Sequence, residues 1–351
     1  MFSLLLRVTI LTVVISIAES HRHVAYSHDE SLPTFRGNWM SNLSDSTYLH
    51  KLSLAGTHDS MAFYGGFTTQ TQSIPLMDQL VGGIRVLDIR CRHYEDSFPI
   101  HHGFIFQKTY FGTVLKTIVE FLDKYPSEMI MMRFRDEYEE GKNTKTFWEI
   151  YDEYVAPYKA KYLWTPTTNR PTLGEVRGKI VLLDDYTRYN ASTTSTLASP
   201  YGLYYGNKND FSIQDEYEIL TNFELGKKWK FVKDQLILAN STGGEKFFIN
   251  YLSASSVPTA VFPFFVASGH MTEGTSSDRL YTGFTDPVGK SMFPDFPRLH
   301  CVFGICMYYF EGTNILTWEF IQKEKPRFVG IIYSDFPGDG LIEAVNSLNF
   351  Q

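Results

Sequence analysis

LSLAGTHDS (residues 52–60), GIRVLDIRCR (83–92) and FPIHHG (98–103) decide how this chain is read. Each is a short apolar, β-prone run that stops on charged or imidazole groups. The first ends on His58 and Asp59, the second carries Asp88 and Arg90, and the third ends on His101 and His102. Asp88 and Arg90 are two positions apart, so on a strand they share a face, while His101 and His102 point to opposite faces. We therefore read His102 as functional and His101 as structural. Two histidines at one set of strand ends suit a general base and a general acid, because imidazole titrates near neutrality. Arg90 offers a planar fork for a phosphate, and Asp335 or Asp59 can orient a histidine and stabilise its charged form.

The same pattern continues outward from this stretch. Apolar runs at 51–56, 84–89, 98–102, 128–134, 179–183, 211–214, 246–251 and 328–333 read as eight strands. Helical spacing of apolar residues appears at 114–124, 144–162, 223–238, 315–322 and 341–349, and Pro75 opens a short helix that ends at Gly82 and Gly83. Alternating strands and helices over this length predict an α/β fold: one domain built as an irregular TIM-type (β/α)8 barrel with parallel strands. In such barrels chemistry sits at the carboxyl ends of the strands. Those ends carry His58, Asp59, Asp88, Arg90, His102, Arg135, Asp215, Tyr217 and Asp335. The predicted organisation is a signal peptide at 1–20, an arm at 21–47 and the barrel at 48–351, with a long Gly-, Pro- and Phe-rich loop insertion at about 253–313.

The chain has 351 residues and a formal net charge of -7, which argues against a nucleic-acid binder and against polybasic docking on an anionic membrane. MFSLLLRVTILTVVISIAES (1–20) has an apolar region from Val8 to Ala18, short for a bilayer span, with Arg7 before it and small or polar residues after it. It reads as a cleaved secretory signal. Behind such a signal, the sequons at Asn42, Asn190 and Asn240 become candidate glycosylation sites on a secreted protein. Of the three cysteines, Cys301 and Cys306 can pair, which leaves Cys91 odd, and no spacing among them resembles a zinc site. No obligate protein partner is evident. A guanidinium two positions from Asp88 would repel a divalent cation and can take over its charge, so a site without a metal or other cofactor is expected.

In order and spacing, GTHDS, LDIRCR and IHHG resemble the catalytic X region of phosphatidylinositol-specific phospholipase C, in its bacterial-type, metal-independent branch. The resemblance continues more weakly through PSEMIMMRFRDEYE, VRGKIVLL, SIQDEY, FFINYLSAS and PRFVGIIYSD. It implies a phosphoric diester lyase that cleaves phosphatidylinositol, or a glycosylphosphatidylinositol anchor, at a membrane surface. The products are diacylglycerol and inositol 1,2-cyclic phosphate. It implies further that His58 is the general base, oriented by Asp335, and that His102, coupled to Asp59, is the general acid. Arg90, positioned by Asp88, would hold the phosphate. Arg135, Arg177 and Asp215 would contact inositol hydroxyls, with Tyr217 stacking on the ring.

The chain departs from the family pattern after Asp59, where a short segment lacks the tryptophan of a membrane-touching helix, and in the long stretch 270–325. VFPFFVAS (261–268) offers Phe262, Phe264 and Phe265 as an aromatic membrane rim in its place. Two other function classes compete with the lyase. One is a catalytically silent inositol-lipid-binding protein on the same barrel, which loss of His58, Arg90, His102 or Asp335 would mark. The other is a metal-dependent phosphodiesterase, which needs an acidic ligand cluster early in the chain.

Overall fold

β1 (Leu54–Thr57) is the strand around which the sheet closes, with β13 (Ile331–Ser334) parallel on one side and β2 (Val86–Cys91) parallel on the other. Gly56 makes that central place possible, since a Cβ there would stand 2.9 Å from the Val86 carbonyl oxygen and 3.1 Å from the Tyr333 ring. This is a computed structural model, and it describes residues 23–30, 33–186, 200–274, 278–279, 281–284, 295–296, 299–303 and 305–351.

From β2 the sheet continues through β5 (Ile130–Asp136), β6 (Ile180–Asp184) and β7 (Leu203–Tyr204). From β13 it continues through β9 (Phe247–Tyr251) to β8 (Phe211–Gln214). All of these pairings are parallel, and among the described residues β7 and β8 end the path without pairing to each other. The strands thus follow chain order around a barrel that stays open at one seam, which is the irregular α/β barrel the sequence predicts.

Membership of the eight differs from the expectation at two places. The run at 98–102 is not a barrel strand: β3 (Pro99–His102) forms an antiparallel hairpin with β4 (Ile105–Tyr110) and hangs from β2 through Cys91 and Ile100. Parallel neighbours need a crossover of a dozen or more residues, and the few between Cys91 and Pro99 allow only an antiparallel return. The place it vacates is taken by the two-residue β7, which the sequence reading did not include among the eight. Similarly, the single helix expected at 144–162 is two, Phe147–Val155 and Lys159–Tyr162, because Pro157 has no N–H to continue the ladder. The first begins on a reciprocal capping box between Thr146 and Glu149.

The insertion after β9 contains a helix, Pro263–Ser268, and a separate antiparallel sheet of β10 (Tyr281–Phe284), β11 (Leu299–Val302) and β12 (Ile305–Tyr309). Cys301 is disulfide-bonded and stands opposite Cys306 in the β11–β12 register, while Cys91 is buried and free. The N-terminal arm is tied down by its own side chains: the Trp39 indole donates to the Gly83 carbonyl, and Arg36 pairs with Asp339 and Glu343. Asn42 and Asn240 are exposed, whereas Asn190 and the predicted signal segment lie outside the described residues.

Candidate active site

Strand alternation sorts each barrel strand into two sets of side chains. Leu87, Ile89, Met132, Phe134, Leu182 and Ile332 face outward and pack under the helices in the larger core. Leu54, Val86, Met131, Val181, Phe247, Ile249 and Ile331 face inward and fill the bottom of the barrel. Continuing the inward set by twos toward the carboxyl ends changes its chemistry. Leu54 leads through Gly56 to His58, Val86 to Asp88 and Arg90, Met131 to Arg133 and Arg135, and Ile331 through Tyr333 to Asp335. A polar layer thus rests on an apolar plug.

His58 stands at the centre of that layer. Its Nδ1 lies 2.7 Å from Asp335 Oδ1 and its Nε2 lies 2.7 Å from Arg90 Nη2. The carboxylate only accepts, so Nδ1 carries the proton, and the guanidinium only donates, so Nε2 presents a lone pair. Burial works against a proton on His58, but the Asp335 carboxylate outweighs burial and raises its proton affinity. Arg90 in turn is bonded to Asp88 Oδ2 through Nε at 3.2 Å and Nη2 at 2.9 Å. Burial disfavours its charge, yet Asp88, Asp59 and Glu137 more than restore it. Burial also pushes the Asp88 carboxyl up, but Arg90 and Arg133 hold it well below the usual carboxylate range.

His102 faces His58 across the site, with ring centroids 6.4 Å apart. Its Nδ1 donates to the Thr69 carbonyl at 2.7 Å and lies 3.2 Å from Asp59 Oδ2, so the opposite ring nitrogen, Nε2, is left for exchange. Asp59 is fully buried, and among the described residues neither carboxylate oxygen has a hydrogen bond, although Arg90 Nε lies 3.7 Å away. Burial raises its proton affinity, against the pull of His102 and Arg90. Its backbone is left-handed, with φ 41°, a conformation that costs energy outside glycine and collects at functional sites. The geometry is that of two imidazoles, each backed by a carboxylate, flanking a fixed guanidinium, and it suits proton transfer on both sides of a bound phosphate.

The structure brings His58, Asp59, Asp88, Arg90, His102 and Asp335 into this one network. Arg135 joins its edge through Glu137, 3.9 Å away, and Asp215 and Tyr217 follow β8 at the same end of the barrel, with Tyr217 exposed. Arg177 does not belong to it. It lies three residues before β6, at the amino ends of the strands, where it pairs with Asp45 and donates to the carbonyls of Met40, Leu43 and Ser127. The aromatic rim is corrected as well. Phe264 and Phe265 are buried in the core, and Phe262 is half-buried with its ring 4.8 Å from Phe67. His101 is buried with Nδ1 3.3 Å from the Gly103 carbonyl, away from the network.

Sequence reasoning missed Arg133 and Glu137. Arg133 donates to Asp88 Oδ1 at 3.1 Å, to the Tyr251 hydroxyl at 2.9 Å and to Asp185 Oδ2 at 2.6 Å. The signal was present in RFR, where Arg133 and Arg135 share a face and register against Asp88 and Arg90. Glu137 accepts the Gly103 N–H at 2.9 Å and so fixes the hairpin that carries His102. Among the described residues, no group of three or more His, Cys, Asp or Glu side chains is placed to hold a metal ion.

Comparison with known proteins follows this geometry. Residues 46–185 match the family model for the phosphatidylinositol-specific phospholipase C X domain. A 1-phosphatidylinositol phosphodiesterase of Listeria monocytogenes is 36% identical over 230 residues, covering 62% of this chain and 68% of that protein. One from Staphylococcus aureus is 30% identical over 270 residues, covering 70% and 80%. The solved phosphatidylinositol-specific phospholipase C of Listeria monocytogenes superposes with a TM-score of 0.60 at 28% identity, over 90% of this chain and 99% of its own. That of Staphylococcus aureus, in a study of its membrane binding, superposes with a TM-score of 0.64 at 23% identity, over 90% and 99%.

Proposed function

The chain belongs to the phosphatidylinositol-specific phospholipase C family, and from that premise we propose that it is a secreted lyase acting on phosphatidylinositol or a glycosylphosphatidylinositol head group. His58 takes the proton of the inositol 2-hydroxyl, whose oxygen attacks phosphorus. The bond from phosphorus to the diacylglycerol oxygen breaks, and His102 protonates that leaving oxygen. The products are diacylglycerol and inositol 1,2-cyclic phosphate, and hydrolysis of the cyclic ester reuses the two imidazoles in exchanged roles. The attacking hydroxyl is part of the substrate, so the attack is already unimolecular.

The observation that carries this reading is His58 held between Asp335 and Arg90 at 2.7 Å on each side. A phosphate drawn to Arg90 frees Nε2 from the guanidinium and places the lone pair beside the substrate hydroxyl. Arg90 supplies the positive charge that a divalent cation supplies in other phosphodiesterases, so the reaction proceeds without metal. Arg135, Asp215 and Tyr217 take the inositol ring on the open side.

Membrane contact is assigned to exposed rings around His102 in place of Phe264 and Phe265. Phe104 follows Gly103 at the hairpin tip and is 71% exposed, while Tyr64, Phe67 and Tyr138 are also exposed. Amphipathic and apolar rings so placed suit a bilayer interface. No helix among the described residues is long and apolar enough to cross a membrane. We assign residues 1–20 to a signal peptide, 21–47 to the arm and 48–351 to the barrel, with Asn42, Asn190 and Asn240 as glycosylation sites.

The test is incubation of the secreted chain with phosphatidylinositol vesicles in EDTA, followed by phosphorus NMR. A cyclic inositol phosphate signal is expected. Turnover that appears only when calcium is added would overturn the role of Arg90. Binding without turnover in either condition would establish the silent lipid-binding alternative.

A further inference from the structure

Lys228 is a buried ammonium that the reaction above does not use. It sits in the helix Leu225–Thr242, is 2% exposed, and has no carboxylate within ion-pair distance among the described residues. Its Nζ donates to the Tyr251 carbonyl at 2.7 Å and lies 3.4 Å from Gln214 Oε1. A buried charge without a carboxylate in contact is costly, so its retention calls for a physical reason.

The hydrogen bonds around it supply one. Gln214 is the last residue of β8, and its Nε2 donates to the same Tyr251 carbonyl at 2.9 Å and to Asn250 Oδ1 at 2.7 Å. Its Oε1 accepts the Glu216 N–H at 2.8 Å. Lys228 and Gln214 together therefore tie the end of β9 to the segment that carries Asp215 and Tyr217. β9 lies between β8 and β13, so the ammonium sits behind the junction of the loops bearing Asp215 and Asp335.

We propose that Lys228 is a positioning residue of this site: it holds the Asp215–Tyr217 segment and, through its charge, sets the balance of the Asp335–His58 pair. The proposal rests on the lyase reading for the roles of Asp215, Asp335 and His58.

Electrostatics support the placement. Burial lowers the proton affinity of Lys228 from the ordinary lysine range to about 7, against the pull of Asp215, Asp335 and Glu216. The faces of β8 and β9 present neutral groups to it, namely Gln214, Asn250 and the Tyr251 carbonyl. The packed helix Thr313–Glu324 carries Glu319, Lys323 and Glu324, while the carboxylates that act most on Lys228 are Asp215, Asp335 and Glu216. While protonated, the ammonium disfavours a second positive charge on His58. Once it is neutral, that restraint is gone.

The sign for stability is opposite to that of a paired lysine. Between about pH 7 and the ordinary lysine value the unfolded chain binds the proton and the folded chain does not, so stability rises with pH across that window. Lys228→Met removes the cost of burying charge. Its thermal midpoint should gain more at about pH 6 than at about pH 9, so the variant remains folded for kinetics.

The experiment compares full-length secreted wild type, Lys228→Met and Lys228→Arg on phosphatidylinositol vesicles from about pH 5 to 9, with the His58 imidazole titrated by NMR. In Lys228→Met, KM should rise about three- to tenfold. The acid limb of kcat and the His58 titration should both move up by roughly half to one pH unit. Lys228→Arg, charged at every pH, should keep the wild-type acid limb. An unchanged KM, acid limb and His58 titration in Lys228→Met would overturn the proposal. If the wild type shows no turnover, the lyase reading falls, and the His58 titration alone still decides whether Lys228 acts on that pair.

Discussion

Replacing Asp335 with Asn leaves the shape of the site almost unchanged and removes one charge from behind His58. The pair is tight, with Nδ1 to Oδ1 at 2.7 Å, and Asp335 is 2% exposed, so water does not replace what is lost. Two unit charges about 4 Å apart at an effective dielectric of ~20 interact by about 4 kcal/mol. In the proposed mechanism the carboxylate stabilises the imidazolium that forms as His58 takes the hydroxyl proton, so most of that energy is felt in the transition state. The expected fall in kcat is about 1,000-fold, and up to about 10,000-fold if the amide also fixes the wrong tautomer. A second signature concerns pH. Asp335 raises the proton affinity of His58 and the base must be neutral to act, so the Asn variant should show its acid limb at lower pH than wild type. Phosphorus NMR on vesicles gives both quantities. Activity within tenfold of wild type, or an acid limb that does not move down, would falsify the assignment of His58 as the base backed by Asp335.

Other outcomes follow from the same layer and from the corrected rim. Arg133→Met removes one of the two guanidinium partners of Asp88, Arg90 remaining, and takes the ion-pair partner from the partly exposed Asp185, so it should destabilise the fold by roughly 3 kcal/mol, read by denaturant unfolding. A loss under about 1 kcal/mol would show that those carboxylates find other partners. Phe264→Ala should cost about 3–5 kcal/mol of stability, since the ring is 4% exposed and packed in the core. Phe104→Ser should leave stability within about 0.5 kcal/mol and weaken vesicle binding several-fold in a sedimentation assay. The reverse pattern for the two phenylalanines would restore the rim expected from VFPFFVAS.

Most of the proposed catalytic set was legible because it is local. His58 and Asp59, Asp88 and Arg90, and His102 each stand where an apolar run stops, and period-two spacing already places Asp88 and Arg90 on one face. Arg133 went unread for the complementary reason. RFR offers two arginines on the same face, and only the parallel register of β5 against β2 shows that Arg133 sits opposite Asp88 while Arg135 reaches the exposed edge. Arg177 was misplaced because a short motif match does not say which end of a strand it occupies, and it precedes β6 where the site lies beyond the strand ends. The third apolar run was read correctly as a strand but assigned to the wrong sheet position, since its pairing partner β4 is more polar and gives little periodic signal.

By itself the sequence determined the α/β barrel class, the apolar runs that stop on polar groups, and most of the residues that meet at the carboxyl ends. Each of these follows from alternation along a strand and from where each run terminates. Only the tertiary structure decided that β3 belongs to a hairpin, that Phe264 and Phe265 are core, and that a lysine on a distant helix lies behind two carboxylates of the proposed site. Those facts depend on register and on contacts between residues far apart in the chain. Local physical chemistry sets the direction of a side chain from its own strand, but what stands opposite it is set by the packing of the whole barrel.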